Sequence, residues 1–457
     1  MKKVLVISGV LSVVMLFSMC RKAQVFKEEG YDERLSGGMA TVFDETSKAF
    51  GHMMNGLTGN DELTHEIGDK DFEQTFVAAP APVNSGLGPV FNNVSCISCH
   101  HNDGKGTPTA GETTSSLLFR ISPNDVNEHG GPTGMAGYGG QLQDLAIFGK
   151  QPEGKVNISY TDVIVAYPDG ETVTLRKPTY TLHSTYMSLS GGYHLSPRLA
   201  PPVFGLGLLE NIPESTLLSY ADEYDRDGDG ISGRPNYVYN PLSKQKEIGR
   251  FGLKANTATI QLQVAGAYNQ DMGITSRIFK QESAWGQSQL DDLNDDPELA
   301  DSTLDRVVFY IKSLAVPARR DVTDATVKRG KELFIQMNCS GCHKTVVQTG
   351  VDITLAARSN QRIQPFTDLL LHDMGDGLAD DYNDFVANGK EWRTAPLWGI
   401  GLFEKTNGVP YYLHDGRART IEEAILWHGG EAQNATDKFK QLDKASRTAV
   451  IRFLKSL

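Results

Sequence analysis

Cysteine is scarce in this chain: there are five in 457 residues, too few to staple a protein of this size with disulfides. Basic charge is in deficit, with 44 Lys and Arg against 56 Asp and Glu and a net charge of −12. That balance opposes phosphate binding, so nucleic acid is excluded as the expected partner. Long apolar runs are absent but for one, Val4 to Phe17, which follows the basic pair Lys2 and Lys3. It is too short to span a bilayer comfortably and has the length of a signal-peptide core. The rest is ordinary for a folded protein: 39% hydrophobic and 22% charged residues, with 46 glycines and 20 prolines for turns and loops. The length fits two or three domains.

The cysteines are not scattered. Four form two copies of one motif, Cys96-Ile-Ser-Cys99-His100 and Cys339-Ser-Gly-Cys342-His343. CxxCH is the attachment signature of c-type haem, in which both thiols form thioethers and the next histidine binds the iron as proximal ligand. A dithiol redox centre or a zinc site made of two CxxC pairs is the alternative, but neither needs the trailing histidine. Two covalently bound haem c groups are therefore expected. The fifth cysteine, Cys20, closes the early apolar run in Leu16-Phe17-Ser18-Met19-Cys20. This placement is that of a lipoprotein signal, although Met19 stands where a small residue is usual. Residues 1–19 are expected as signal peptide and Cys20 as a lipidated membrane anchor; an ordinary signal with a bystander cysteine is the alternative. Either way the chain is expected to be exported, as a periplasmic protein or an outer-membrane lipoprotein of a Gram-negative bacterium.

Two further landmarks follow each motif in the same order. Arg198-Leu-Ala-Pro-Pro-Val-Phe-Gly-Leu-Gly-Leu-Leu-Glu210 matches Arg393-Thr-Ala-Pro-Leu-Trp-Gly-Ile-Gly-Leu-Phe-Glu404, and Val307 to Leu314 matches Val450 to Leu457. The expected fold is thus mainly α: two cytochrome c-like helical domains related by an internal repeat. The first domain (20–316) and the second (323–457) are joined by 317–322 as linker, and from the motif to the last landmark the first is longer by 100 residues, 218 positions from Cys96 to Leu314 against 118 from Cys339 to Leu457. Part of the excess reads as a β insertion: Val156 to Tyr167, a Pro168-Asp169-Gly170 turn, then Glu171 to Leu182. Ser302 is expected to cap a helix with apolar Leu304, Val307, Val308, Ile311 and Leu314 on one face, and Thr420 with Glu423 forms a capping box.

In these blocks the sequence resembles the di-haem oxidoreductase family labelled thiol oxidoreductase-like. That family is related to bacterial di-haem cytochrome c peroxidases and to the methylamine-utilisation di-haem enzyme. The resemblance is carried by the paired CxxCH motifs, Ser196 to Pro202, Gly228 to Asn236, Leu371 to Gly375, Tyr412 to Ala418 and Ile425 to Ala432. It implies two cytochrome c-like domains in a periplasm-facing redox protein. At the second haem the relatives' sixth ligand falls on His428, with Met374 as the alternative. At the first, a displaceable ligand falls on His194; Tyr220 occupies the place of His428 in the repeat and is expected as core.

Cleavage of a peroxide bond needs an acid–base group and stabilisation of departing charge. Glu210 and Gln141 are the catalytic candidates. Arg198, Arg393 and Arg417, with Arg419, are candidates to pair with haem propionates, because guanidinium matches carboxylate in bidentate geometry. Trp398 and Trp427 are possible relays by type, and His372 and His414 are expected as haem-pocket hydrogen-bonding residues. Asp225, Asp227 and Asp229 stand at positions 1, 3 and 5 of a calcium-type loop with Gly230 at 6, although Asn236 holds the position where a bidentate Glu is usual. Ca2+ is therefore a candidate third cofactor. The resulting expectation is a peroxidase-like oxidoreductase taking electrons from a donor protein at the second haem and delivering them to a small oxidant, such as hydrogen peroxide, at the first. The alternative is a non-catalytic di-haem electron-transfer cytochrome serving another periplasmic redox enzyme.

Overall fold

Helix packing decides where the two motifs sit. In the computed structural model, which describes residues 31–457 apart from 292 and 294, helix Asn60–Glu73 packs against Asp301–Ser313, and helix Ala325–Gln336 packs against Lys444–Lys455. Asp301–Ser313 buries Leu304, Val307, Val308 and Ile311, the stripe expected of it. Lys444–Lys455 buries Ala449, Val450 and Phe453. Each pair crosses at a glycine. A Cβ on Gly68 would lie 2.4 Å from the Arg306 carbonyl oxygen, and one on Gly330 would lie 2.0 Å from that of Ala449, so only glycine permits either approach.

Caps set the helix ends. Asp324 accepts from the amides of Thr326 and Val327, and Asp443 accepts from that of Ser446. Thr420 caps helix Ile421–Trp427 by accepting from the Glu423 amide at 3.0 Å. Ser302 is not a cap: the helix begins at Asp301, one residue earlier, after an Ala300 that makes no side-chain cap bond. There the acidic Asp301 in the first turn meets the helix dipole instead.

Strand is more plentiful than a mainly α chain allows, at 19% against 28% helix. The β insertion is a hairpin of two twelve-residue strands, Lys155–Ala166 and Thr172–His183. It clasps residues far along the chain. The Tyr180 hydroxyl donates to Asp415 at 2.8 Å, the Tyr167 hydroxyl donates to Glu422 at 2.7 Å, and Arg447 pairs with Asp169 at 2.7 Å and Glu171 at 2.9 Å. A three-stranded antiparallel sheet sets Leu117–Ser122 between His194–Leu199 and Gln141–Leu142, with Phe119, Ile121, Leu142 and Leu199 in a small core of its own.

The segment expected as linker is tied down. Val316–Pro317 pairs in parallel with Thr41–Val42, and Arg319 is only 3% exposed. Glu33–Leu457 forms one compact unit. The early apolar run and Cys20 lie outside the described residues. Among the described residues, no helix is long and apolar enough to cross a membrane.

Candidate functional site

Both CxxCH motifs open onto one cavity of about 980 Å³. Residues Cys96–Cys99 form a single helical turn, capped by the Ser95 hydroxyl, which accepts from the Ser98 amide at 3.3 Å. The turn brings Cys96, Cys99 and His100 to the cavity wall. His100 Nδ1 donates to the carbonyl oxygen of Pro201 at 2.7 Å. A carbonyl only accepts, so the proton sits on Nδ1 and the lone pair on Nε2. The second motif repeats the device. Asn338, left-handed at φ 68, turns the chain into Cys339–Gly341, and His343 Nδ1 donates to the Phe366 carbonyl at 2.8 Å. The rings of Phe72 and Phe334 lie 6.2 Å from His100 and 6.3 Å from His343.

Burial pushes both imidazoles down to about 4, so both are neutral, the form that binds a metal. Burial also pushes the Cys96 and Cys339 thiols up to about 12 and raises those of Cys99 and Cys342. All four thiols are free. A reactive dithiol has a depressed pKa, so this setting fits an apolar porphyrin edge and not a redox pair.

His428 is a third imidazole of the same design. It lines the cavity, its Nδ1 donates to the Ala424 carbonyl at 2.7 Å, and burial holds its pKa down. Met374 also lines the cavity. His194 is not among the lining residues. It starts the strand His194–Leu199, paired with Ser122, and an extended strand sets it roughly 13 Å along from Arg198. The structure does not bring it to the cavity wall that the two motifs share. Tyr220, likewise outside the cavity wall, is half-buried with the Lys344 ammonium 5.7 Å from its ring centroid.

The arginines divide. Arg393 lines the cavity, held by the carbonyls of Gly252 at 2.9 Å and Thr394 at 3.3 Å. Burial pushes it down to about 10. Arg250, which sequence patterning did not single out, lines the cavity in the same way, donating to the carbonyls of Leu209 and Ile212 at 3.1 and 2.6 Å. Among the described residues the hydrogen bonds of both go to carbonyls alone, with Asp368 acting on Arg393 and Glu214 and Glu210 on Arg250 only through their charge, so their N–H groups remain suited to an incoming carboxylate. Arg198 lines the cavity, but its charge is met by Asp384 at 3.4 Å and Asp380 at 4.0 Å. Arg417 is off the wall and pairs with Asp415 at 2.8 Å, while Arg419 pairs with Glu423 at 2.8 Å. Propionate pairing by Arg417 is thus corrected, because its neighbour two residues back already neutralises it.

Of the two catalytic candidates, the structure brings one to the cavity. Gln141 is buried on the wall, with Nε2 donating to Asp271 Oδ1 at 2.7 Å and to Asn92 Oδ1 at 2.8 Å. Asp271 lines the same wall near Cys96, and burial raises its pKa. It had no sequence signal beyond its place at the end of helix Ile260–Met272. Glu210 is elsewhere. Its Oε1 accepts from the Ile260 amide at 2.9 Å, and Oε2 pairs with Lys312 at 3.0 Å and Arg358 at 3.2 Å. Both oxygens are committed to holding helices together, so a catalytic Glu210 is corrected to a structural one. Its repeat counterpart Glu404 is exposed.

The other expected pocket residues are placed as follows. His372 lies on the wall between Glu431 at 2.7 Å and Asp368 at 3.0 Å; burial opposes its charge, but these hydrogen bonds hold it protonated well above the ordinary range. His414 is stacked on Trp392 with centroids 3.7 Å apart, and burial pushes its pKa down to about 3. Trp398 lines the cavity; Trp427 is off the wall, under Arg417 at 4.9 Å. Asp225, Asp227 and Asp229 keep a carboxylate oxygen each within 4.8 Å of one another. Asn236 is not part of that turn's donor set: it is buried, donating to the carbonyls of Lys254 and Asp384.

The donor chemistry therefore fits a porphyrin at each motif: neutral thiols, a fixed imidazole, and two arginines without a hydrogen-bonded carboxylate among the described residues, on one cavity. Comparison with known proteins gives the family. Among solved structures, the hydrazine synthase of Kuenenia stuttgartiensis pressurised with xenon shares 20% identity over 35% of this chain and 56% of its own, with a TM-score of 0.23. A MauG-like protein associated with microbial copper homeostasis shares 16% identity over 56% of this chain and 89% of its own, with a TM-score of 0.28. At such scores neither defines the fold, and no curated protein matches. The family model described as "Di-haem oxidoreductase, putative peroxidase" matches residues 31–457. With that match over nearly the whole length, the chain belongs to the di-haem oxidoreductase family.

Proposed function

We propose that this chain is an exported, lipid-anchored c-type di-haem oxidoreductase of peroxidase type. Cys96 with Cys99, and Cys339 with Cys342, would attach the two haems, with His100 and His343 as proximal ligands. One observation carries the reading: at both motifs the histidine next to the second cysteine donates Nδ1 to a backbone carbonyl, at 2.7 and 2.8 Å, and keeps Nε2 for metal. When bound, the haem pair supplies electron transfer from the second site to the first and, at an open coordination position, reduction of a small oxidant such as hydrogen peroxide.

The chain's own groups do the rest. His428 offers a second fixed imidazole on the same wall and would be a further ligand donor at the second motif, the expected point of electron entry. Near the first motif, burial raises the pKa of Asp271 and Gln141 fixes its Oδ1, so this carboxyl is the group placed to exchange a proton with a substrate oxygen. Arg393 and Arg250 would anchor propionates. The two-domain repeat is part of the same proposal. It is supported by matched close contacts: a Cβ on Gly207 or on Gly401 would lie 1.9 Å from the carbonyl oxygen of Lys312 or Lys455 respectively, and all four residues fall at corresponding places in the matched landmarks.

Electron paramagnetic resonance of the haem-loaded protein, half-reduced and then treated with peroxide, tests this. A high-spin signal that is lost on peroxide addition is expected. Two low-spin signals indifferent to peroxide would make the protein an electron carrier instead.

A further inference from the structure

A second group of carboxylates lies apart from the cavity, in the stretch between helices Ile260–Met272 and Asp301–Ser313. Glu282, Asp296 and Glu298 each bring a carboxylate oxygen within 4.8 Å of the others. Thr275 ties two of them together: its hydroxyl lies 3.0 Å from Asp296 Oδ1 and also contacts Glu298, and its amide donates to Glu298 Oε2 at 2.8 Å. Glu282 stands out. It is 7% exposed, and its Oε2 is buried with no hydrogen-bond partner.

A buried carboxylate oxygen without a donor is costly, and here the charges acting on it are all of its own sign. Burial pushes Glu282 up to about 8, and Asp291, Asp296 and Glu298 push it the same way. Such a group is relieved either by keeping a proton or by a cation. The donor set favours the cation. Calcium takes oxygen ligands at about 2.3–2.6 Å, so donors around one ion stand no more than about 4.8 Å apart, and the three oxygens here fall within that limit. The absence of sulfur or imidazole among these donors disfavours softer metals.

We propose that Glu282, Asp296 and Glu298 form a binding site for a hard divalent cation of the calcium class, with water completing its shell. The ion would hold the loop that follows helix Ile260–Met272, whose last turn presents Gln270 and Asp271 to the cavity. This assignment does not rest on the proposed reaction.

The test uses the full-length haem-loaded protein, stripped with a chelator and titrated with Tb3+. Trp285 is the built-in sensitiser, since its amide donates to the Glu282 carbonyl at 3.0 Å. The titration is run in an Asp225→Asn, Asp227→Asn background, so that the other acidic turn does not contribute. Tryptophan-sensitised emission that calcium displaces is expected, with affinity falling about tenfold or more in Glu282→Gln and in Glu298→Gln. Should Glu282→Gln not fold, Glu298→Gln decides. No emission, or emission and calcium affinity the same in parent and variants, would overturn the site and leave Glu282 as a buried neutral acid.

Discussion

His100 Nδ1 stands 2.7 Å from the carbonyl oxygen of Pro201, a residue 101 positions along the chain. Pro201 lies in the Arg198 block that follows the first motif, so that block serves to orient the histidine of the motif. The second half meets the same need differently: His343 uses the Phe366 carbonyl, not Pro396 of the matching block.

Asp271 is the group on which peroxide turnover should depend most. Asp271→Asn removes the titratable carboxyl while keeping the shape and a partner for Gln141. Turnover measured with saturating electron donor should fall by about 10²–10⁴-fold, with both haems retained and their spectra unchanged. Turnover equal to the parent's would remove Asp271 from the account.

Arg393 should tune an iron without touching it. Arg393→Leu deletes a buried positive charge from the cavity wall, so the reduction potential of one haem should shift downward, while Arg393→Lys restores most of it. Potentiometric titration of the two haem bands reads this. Equal potentials in all three proteins would mean that no propionate lies beside this guanidinium.

Glu210 should matter for stability and not for chemistry. Glu210→Gln keeps the Ile260 amide's acceptor but loses the ion pairs to Lys312 and Arg358. Thermal unfolding should show a loss of about 1–3 kcal/mol, with turnover per folded molecule unchanged. A selective fall in turnover at constant stability would restore its catalytic candidacy.

Buried carboxyls set the pH dependence of stability. Burial pushes Glu153 from 4.5 up to about 8 and Asp103 from 3.8 up to about 7. The folded state therefore binds these protons more tightly than the unfolded state. Their contribution is whole below the unfolded values and is lost as pH climbs through the folded ones. The melting midpoint should fall between the ordinary His value of 6.5 and about 8, where the depressed histidines no longer oppose the trend. Glu153→Gln should flatten that fall; an unchanged slope would count against it.

The parts legible in the sequence were those with a local pattern. The motifs, the stripe of Asp301–Ser313, the Thr420 cap and the 155–183 hairpin all follow from residue spacing. Arg250, Asp271 and Trp392 were not legible, because their importance comes from long-range burial around one cavity and not from any spacing. Glu210 and Arg417 misled for the same reason. An acid ending an apolar run and an arginine in a distinctive block both look functional until the tertiary fold supplies Lys312, Arg358 and Asp415 as partners.

The most direct test of the whole account is the intact mass and colour of the denatured polypeptide after acid–acetone extraction. Two haem masses in excess of the chain, with the visible band kept by the protein, are expected, and one haem mass should disappear in Cys96→Ala, Cys99→Ala and in Cys339→Ala, Cys342→Ala. A colourless polypeptide with the mass of its amino acids alone would contradict it.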